Sequence, residues 1–267
     1  MKTQLLKIIK WSIPALIGIS MLIIFMLSAR ELFHTNSGES ISHGTWFNGS
    51  LENGWLMPYS GDNFKSFSSF SYYLMDNAYL NDKVQRAVTE SYKICETTAP
   101  GITFRYMEAS DHSGGPVYFH HSHRNGLSID FMVPKIKDGK PYTSLDGWGL
   151  AHYFLEFDND GCLRPIYPYL NNIHPALSRW VGQHWLDDDV KIDFESMARH
   201  ILALDDACKK ENIAIRKVIL KIELLDEFYS TPSGRKVKAR GIPFASKLTT
   251  AVNGMHDDHY HVDFRVN

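Results

Sequence analysis

Cysteine is scarce here: Cys95, Cys162 and Cys208 are the only three in 267 residues, with no CxxC pair among them. A thiolate zinc site needs clustered pairs, so that class of metal centre is excluded. In an oxidising compartment two of the three could pair and leave one free, and the sequence does not choose which; buried free thiols fit equally well. An excess of positive charge is also missing. The formal net charge is −2, which removes nucleic acid from the expected partners. No internal repeat is visible. What remains is ordinary for a globular protein, with 44% hydrophobic and 22% charged residues, enough for one domain with a substantial core, with or without an insertion.

The N-terminal segment points to a compartment. Lys2, Lys7 and Lys10 precede an uncharged stretch from Trp11 to Ala29, which Arg30 closes. At helical rise, about 19 residues reach roughly 28 Å, close to the thickness of the bilayer hydrocarbon. Pro14 lies near the start, where a helix tolerates it best. The positive-inside rule puts the lysines in the cytoplasm and the rest outside it. We therefore expect residues 1–30 to be a signal-anchor, a single pass through the inner (cytoplasmic) membrane, with the following domain on the periplasmic or extracytoplasmic side. The alternative is a signal peptide cleaved near Leu27-Ser28-Ala29, which delivers the same domain to the periplasm. No cysteine follows the apolar run closely, which argues against a lipoprotein.

Residues 31–48 are polar, rich in Ser, Gly, Asn and Thr, and read as a linker. Beyond it the spacing predicts a helix over Asp82–Thr97, with Val84, Ala87, Val88, Tyr92 and Cys95 on one face. Strands are expected at Ile102–Met107, Val117–Phe119, Leu127–Val133, Ile213–Leu225 and His259–Val266. Asp193 can cap a helix whose apolar face is Phe194, Met197, Ile201, Leu204 and Cys208. An insertion is expected around 134–190, irregular and aromatic, with Asp187-Asp188-Asp189 a solvated charge run. The fold class expected for 49–267 is α+β, a mainly antiparallel sheet with flanking helices.

Thirteen histidines are uninformative singly. Their placement is not: His120, His121 and His123 share one loop, and His256, His259 and His261 share a segment near the C-terminus. Imidazole is the commonest protein ligand for zinc, and a catalytic zinc typically takes three N/O ligands and keeps one position open. Gly126 permits a sharp turn after His123. The chain then enters a strand, where Ser128 and Asp130 share one face while Leu127, Ile129 and Phe131 face the other way. In the second cluster His259 and His261 project from one face of a strand, and Tyr260 and Val262 from its reverse. If one of the two histidines binds metal, the other stands beside it, within reach of the reacting atoms. The residues alone do not decide which.

His120-x-x-His123-x-x-Gly126-x-x-x-Asp130, followed by His256-x-x-His259-x-His261, resembles the penicillin-insensitive murein endopeptidases of the wider lysostaphin, D-Ala-D-Ala peptidase and hedgehog zinc fold. Gly49-Ser50-Leu51-Glu52-Asn53-Gly54 is similar to the opening segment of that family, and the order of elements over roughly 48–267 matches too. The resemblance implies that Zn2+ is held by His123, Asp130 and His261, that His259 is catalytic, and that His120 and His256 are auxiliary. It also implies a zinc-dependent endopeptidase that cleaves peptidoglycan stem peptides or cross-links at a D-alanyl–diaminopimelate or similar amide; whether a protein regulator is a further partner the sequence leaves open. Two other classes stay open: a D,D-carboxypeptidase of the same fold, and a non-catalytic zinc protein that binds the wall or a partner. The remaining histidines, His34, His43, His112, His121, His152, His174, His184 and His200, are expected to be structural or bystanders. Asp257 and Asp258 are either acceptors that orient the histidines or simple surface acids. The aromatics from Trp148 to Phe157, with Trp180 and Trp185, are expected in the core rather than in a substrate groove.

Overall fold

A computed structural model describes residues 2–117, 120, 122–164, 176 and 189–266, with side chains from position 13 onward. His121, His174, Trp180, His184, Trp185, Asp187, Asp188, residues 165–175 and 177–188 of the expected insertion, and the end of the expected Val117–Phe119 strand lie outside these residues.

The chain opens with helix α1 (Lys2–Phe33), which carries Pro14 in its first half. Its Ile13–Phe33 part is long and apolar enough to cross a membrane or to serve as a signal sequence, and large side chains such as Leu16, Leu22 and Met26 are exposed along it. Residues 31–48, expected as a linker, are instead folded against the domain. Tyr79 donates its hydroxyl to Glu31 at 3.2 Å, Arg30 pairs with Asp76, and the Asn36 amide both accepts from Leu56 N (2.8 Å) and donates to Leu56 O (2.9 Å). The physical reason is that Asn and Ser side chains, which look like loop composition, here replace missing strand partners for the backbone. Strands β1 (Ile41–Gly44) and β2 (Gly49–Glu52) then form an antiparallel hairpin.

Next come β3 (Trp55–Leu56), β4 (Phe64–Ser66), the short helix α2 (Ser69–Leu74), β5 (Tyr79–Leu80) and helix α3 (Asp82–Thr98). Asn81 caps α3 by accepting from Lys83 N. After it come β6 (Phe104–Tyr106), β7 (Ser128–Met132), β8 (Lys135–Lys137), β9 (Lys140–Pro141), a 3-10 segment over Asp146–Phe154, and β10 (Lys191–Ile192). Helix α4 (Phe194–Lys210) follows, with Asp193 accepting from Ser196 N as its cap. The chain closes through β11 (Ile213–Ile219), helices α5 (Leu225–Ser230), α6 (Pro232–Ala239) and α7 (Thr250–Gly254), and β12 (His259–Val266). The expected strand Ile213–Leu225 stops at Ile219 because Ile219 already pairs with His261, near the start of β12. Beyond that point Leu224 and Phe228, four apart, bury as one helical stripe.

The main sheet has the order β11-β12-β7-β6-β4. Its β4–β6 pair is parallel, so the sheet is mixed rather than wholly antiparallel. The fold is α+β. On one face Ile129, Phe131, Tyr260, Val262 and Phe264 are buried in one cluster with Val84, Val88 and Tyr92 of α3 and Met197, Ile201 and Leu204 of α4. Each such side chain contributes roughly 1.5–3 kcal/mol by leaving water. That packing fixes the strands, and the strands fix what stands on the opposite face.

Candidate metal centre

On that opposite face β12 and β7 run antiparallel with His261 opposite Asp130, His259 opposite Met132 and Asp263 opposite Ser128. Directly opposed side chains on one face of a sheet lie about 4.5–5.5 Å apart at Cβ, so the register alone brings an imidazole to a carboxylate from 131 residues away. His123 arrives from the loop before β7. Its backbone is left-handed, φ 68°, and Gly126 is at φ 74°. A Cβ at Gly126 would come within 2.7 Å of Asn81 N, so glycine is needed there both for conformation and for room. The turn is tied down by Gly126 N donating to Ser110 Oγ (2.7 Å) and Asn81 N donating to Gly126 O (2.9 Å).

His120, His123 and Asp130 offer ligand atoms that all lie within 4.8 Å of one another, a group that could hold a metal ion. His123 Nε2 stands 3.1 Å from Asp130 Oδ2, yet among the described residues neither nitrogen of this fully buried ring makes a hydrogen bond. His120 Nδ1 is 3.7 Å from the same Oδ2. His261 lies on the other side of Asp130, with Nδ1 2.7 Å from Oδ1, and its ring centroid is 4.8 Å from that of His123. Burial alone would raise the Asp130 carboxyl, but the charges of His123 and His261 hold it well below the usual carboxylate range. Burial likewise opposes a proton on His261, and Asp130 and Asp263 overcome it, pushing the ring up to about 10.

His259 donates from Nδ1 to Asp258 Oδ1 at 2.6 Å. Burial works against its charged form, but Asp258 raises it to about 9. His256 lies beside it, ring centroids 4.7 Å apart, held by a 2.6 Å contact from its Nδ1 to Val252 O. Burial drives both His256 and His120 down to about 3. All six histidine and aspartate positions singled out in the two motifs are thus brought together on one sheet face. Asp258 proves to be a buried acceptor for His259, while Asp257 accepts from Phe157 N at 3.0 Å and supports a loop.

Three groups were not singled out by sequence reasoning. Asp263 Oδ1 accepts from His261 Nε2 at 2.8 Å and from Ser128 Oγ at 2.7 Å; the period-two alternation through His259 and His261 would have found it. Glu108 follows directly on an apolar strand, and it is buried with its carboxyl pushed up to about 8 chiefly by that burial. Tyr153 donates its hydroxyl to Glu108 Oε2 and sets its ring 5.8 Å from His259 and 6.3 Å from His120. It belongs to an aromatic stretch that was expected in the core. His152, expected to be structural, is buried behind the site with Nε2 3.2 Å from Asp258 O. All three cysteines are free.

The donor set suits a borderline cation such as zinc. It combines neutral-capable imidazoles with one carboxylate, the buried nitrogens of His123 have no other partner among the described residues, and a carboxylate stands behind His261 in the way that ligand histidines are usually held. These features define an α+β protein with an N-terminal apolar helix and a buried His/His/Asp cluster able to hold a metal ion. In comparisons with known proteins, no family model matches the chain and no curated protein matches it.

Proposed function

We propose that the chain is a zinc-dependent endopeptidase that hydrolyses amide bonds in peptidoglycan stem peptides or their cross-links, anchored by α1 in the cytoplasmic membrane with its domain on the extracytoplasmic side. The observation that carries this reading is the buried His123–Asp130–His261 group, in which one imidazole has no hydrogen-bond partner among the described residues and another is backed by Asp263. We assign His123, Asp130 and His261 as the ligands and keep His120 and His256 as auxiliary groups. His261 is preferred to His120 because Asp263 stands 2.8 Å from its Nε2, the kind of partner that orients a ligand ring, so that a cation displacing the proton shared with Asp130 would find Nδ1 on the Asp130 side.

Zinc bound there would supply Lewis-acid polarisation of the scissile carbonyl and would bring the pKa of water toward about 7. The chain's own residues do the rest. His259, with Nδ1–H held by Asp258 and its charged form favoured by that carboxylate, has Nε2–H for stabilising the oxyanion that develops on the scissile carbonyl and for passing a proton to the leaving amine. The fixed Nδ1–H bond also keeps the ring from turning away, as the aspartate does in a hydrolase triad. Asp263 and Ser128 hold His261, and the Gly126 turn holds His123, so the pieces are preorganised before substrate arrives.

The test is digestion of defined dimeric muropeptides by the full chain in detergent, with and without chelator, with products identified by mass. We expect cleavage of the cross-link amide, loss with chelator and recovery with added zinc. Release of terminal D-alanine alone would make the protein a D,D-carboxypeptidase; no cleavage by zinc-loaded protein would remove the hydrolase reading. His259→Ala should keep zinc and lose hydrolysis, and full turnover by that variant would overturn its assignment.

A further inference from the structure

A cleft of about 420 Å³ lies beside the metal centre, lined among others by Tyr59, Lys65, Ser69, Phe70, Arg105 and Trp148. Its chemistry differs from that of the centre. The centre gathers carboxylates and imidazoles, whereas this cleft presents two cations, hydroxyls and aromatic rings.

Among the described residues the positive charge is only partly matched. The carboxylate paired with Arg105 among these residues is Asp146, and it is shared: Oδ1 accepts from the buried Lys135 Nζ at 2.8 Å, while Oδ2 stands 3.8 Å from Arg105 Nε. Two cations therefore divide one anion. Arg105 Nε is buried and without an acceptor among the described residues, and its Nη1 makes only a 3.4 Å bond to Ser66 O. A guanidinium has five N–H donors in a planar fork, so most of this one's capacity is unused. Lys65 is exposed at the rim, its Nζ 5.4 Å from the Tyr59 ring centre. Leaving a charged donor short of partners costs more than leaving a neutral one, and a planar carboxylate is what the fork fits best.

The cleft is also within a short reach of the proposed ligands. Phe67 in its wall has its ring centroid 6.1 Å from Tyr153, and the other side of Tyr153 lies 5.8 Å from His259. A single layer of side chains therefore separates the two sites. Roughly three or four residues of extended peptide, at about 3.4 Å each, would cover that distance.

We propose that this cleft is a substrate subsite that binds a free carboxylate of the peptide a few residues from the scissile amide, with Arg105 as its main partner and Lys65 as its rim charge. The inference rests on the peptidase reading for the identity of the peptide, but the recognition chemistry does not depend on hydrolysis. Peptidoglycan stem peptides carry free carboxylates along their length, and a fork held beside the metal centre would fix the register in which the chain is presented. Arg105 and Lys65 act as specificity-determining residues here, remote from the reacting atoms.

The experiment measures binding and turnover separately. The full chain in detergent is titrated calorimetrically with the acidic tripeptide L-Ala-D-Glu-diaminopimelate and with the same tripeptide carrying carboxamides in place of its carboxylates. We expect the acidic form to bind at least about tenfold tighter, the size of one charge-assisted hydrogen bond. Arg105→Gln should abolish that preference and Lys65→Gln should reduce it several-fold, with binding of the amidated form unchanged. In digestion assays the same variants should raise KM and leave kcat nearly unaltered. Because Arg105 touches Asp146 and its replacement could disturb folding, the exposed Lys65→Gln variant provides the independent check. Equal binding of acid and amide by the wild-type chain, or a preference untouched in both variants, overturns the subsite. A preference that disappears in the variants of a chain that hydrolyses nothing keeps the subsite and removes the peptidase reading.

Discussion

On one face of β12, His259 and His261 meet Asp258, Asp130 and Asp263, all carboxylates. On the other face, Tyr260 meets His200 of α4, whose Nδ1 lies 2.6 Å from the tyrosine oxygen and whose Nε2 lies 3.2 Å from Ser91 Oγ. His200 stacks on Tyr92 and Phe104, ring centroids 5.0 Å away in each case. Both faces bury histidine completely, but the core face satisfies its ring with neutral hydroxyls and leaves it uncharged. The site face surrounds its rings with charge and, among the described residues, leaves the nitrogens of His123 without a hydrogen bond, Nε2 facing the Asp130 carboxylate at 3.1 Å. Unpaired buried groups of that kind cost about 1–3 kcal/mol each, and the left-handed backbone of His123 adds on the order of 1 kcal/mol. A fold selected only for stability would not hold such a residue. The difference between the faces separates a histidine that packs from a cluster that could hold a metal ion.

Breaking the site face should have the largest effect. His123→Ala removes the ligand with no competing partner, so the purified variant should lose its stoichiometric zinc and all muropeptide hydrolysis while keeping its circular dichroism. Metal analysis checks it, and full zinc content in the variant would move the metal elsewhere. Asp263→Asn should be milder. The amide still occupies the space but no longer holds His261 as a charged acceptor, and losses of this kind reduce metal affinity about 10–100-fold. Competition with a chromophoric chelator measures that directly, and an unchanged affinity would show that His261 is not a ligand.

Much of this contrast can be read in the chain before folding. The alternation of His259, Tyr260, His261 and Val262 assigns each side chain to its face, and the apolar spacing of α3 and α4 identifies the layer that buries Tyr260. Gly126 announces the turn behind His123. Glu108 and Tyr153 are harder, because their positions depend on how β6 and the 3-10 segment approach the sheet, and no short-range pattern encodes that approach. The folding of 31–48 is hidden for a related reason: Asn36 and Asn53 act through backbone groups distant in sequence, such as those of Leu56 and Ser37. The mixed character of the sheet depends on a parallel β4–β6 pairing across α3, which composition does not show.

On the core face, His200→Phe preserves the stacking but strips the buried Tyr260 hydroxyl of its ring-nitrogen partner, while Ser91 keeps its bond to Val88 O. We expect about 1–3 kcal/mol of destabilisation at neutral pH with zinc content unchanged, read from denaturant unfolding of the full chain in detergent. Loss of zinc in this variant would mean that the two faces are coupled through β12 rather than independent.

The smallest and most diagnostic effect is the pH dependence of that deficit. Burial drives His200 from 6.5 down to about 3 in the folded chain, so between those values the unfolded state binds a proton that the folded state does not. The stability contributed by keeping His200 neutral is complete above about 6.5 and is lost as pH falls toward about 3, at up to roughly 1.4 kcal/mol per pH unit. Phenylalanine has no proton to gain, so the variant lacks this loss while every other titrating group is shared with the wild type. The gap between the two unfolding free energies should therefore narrow as pH is lowered from about 6 to about 4, by close to that slope. A gap that stays constant over the same range would mean that His200 is protonated as readily in the folded chain as in the unfolded one, and the neutral core face would have to be redrawn.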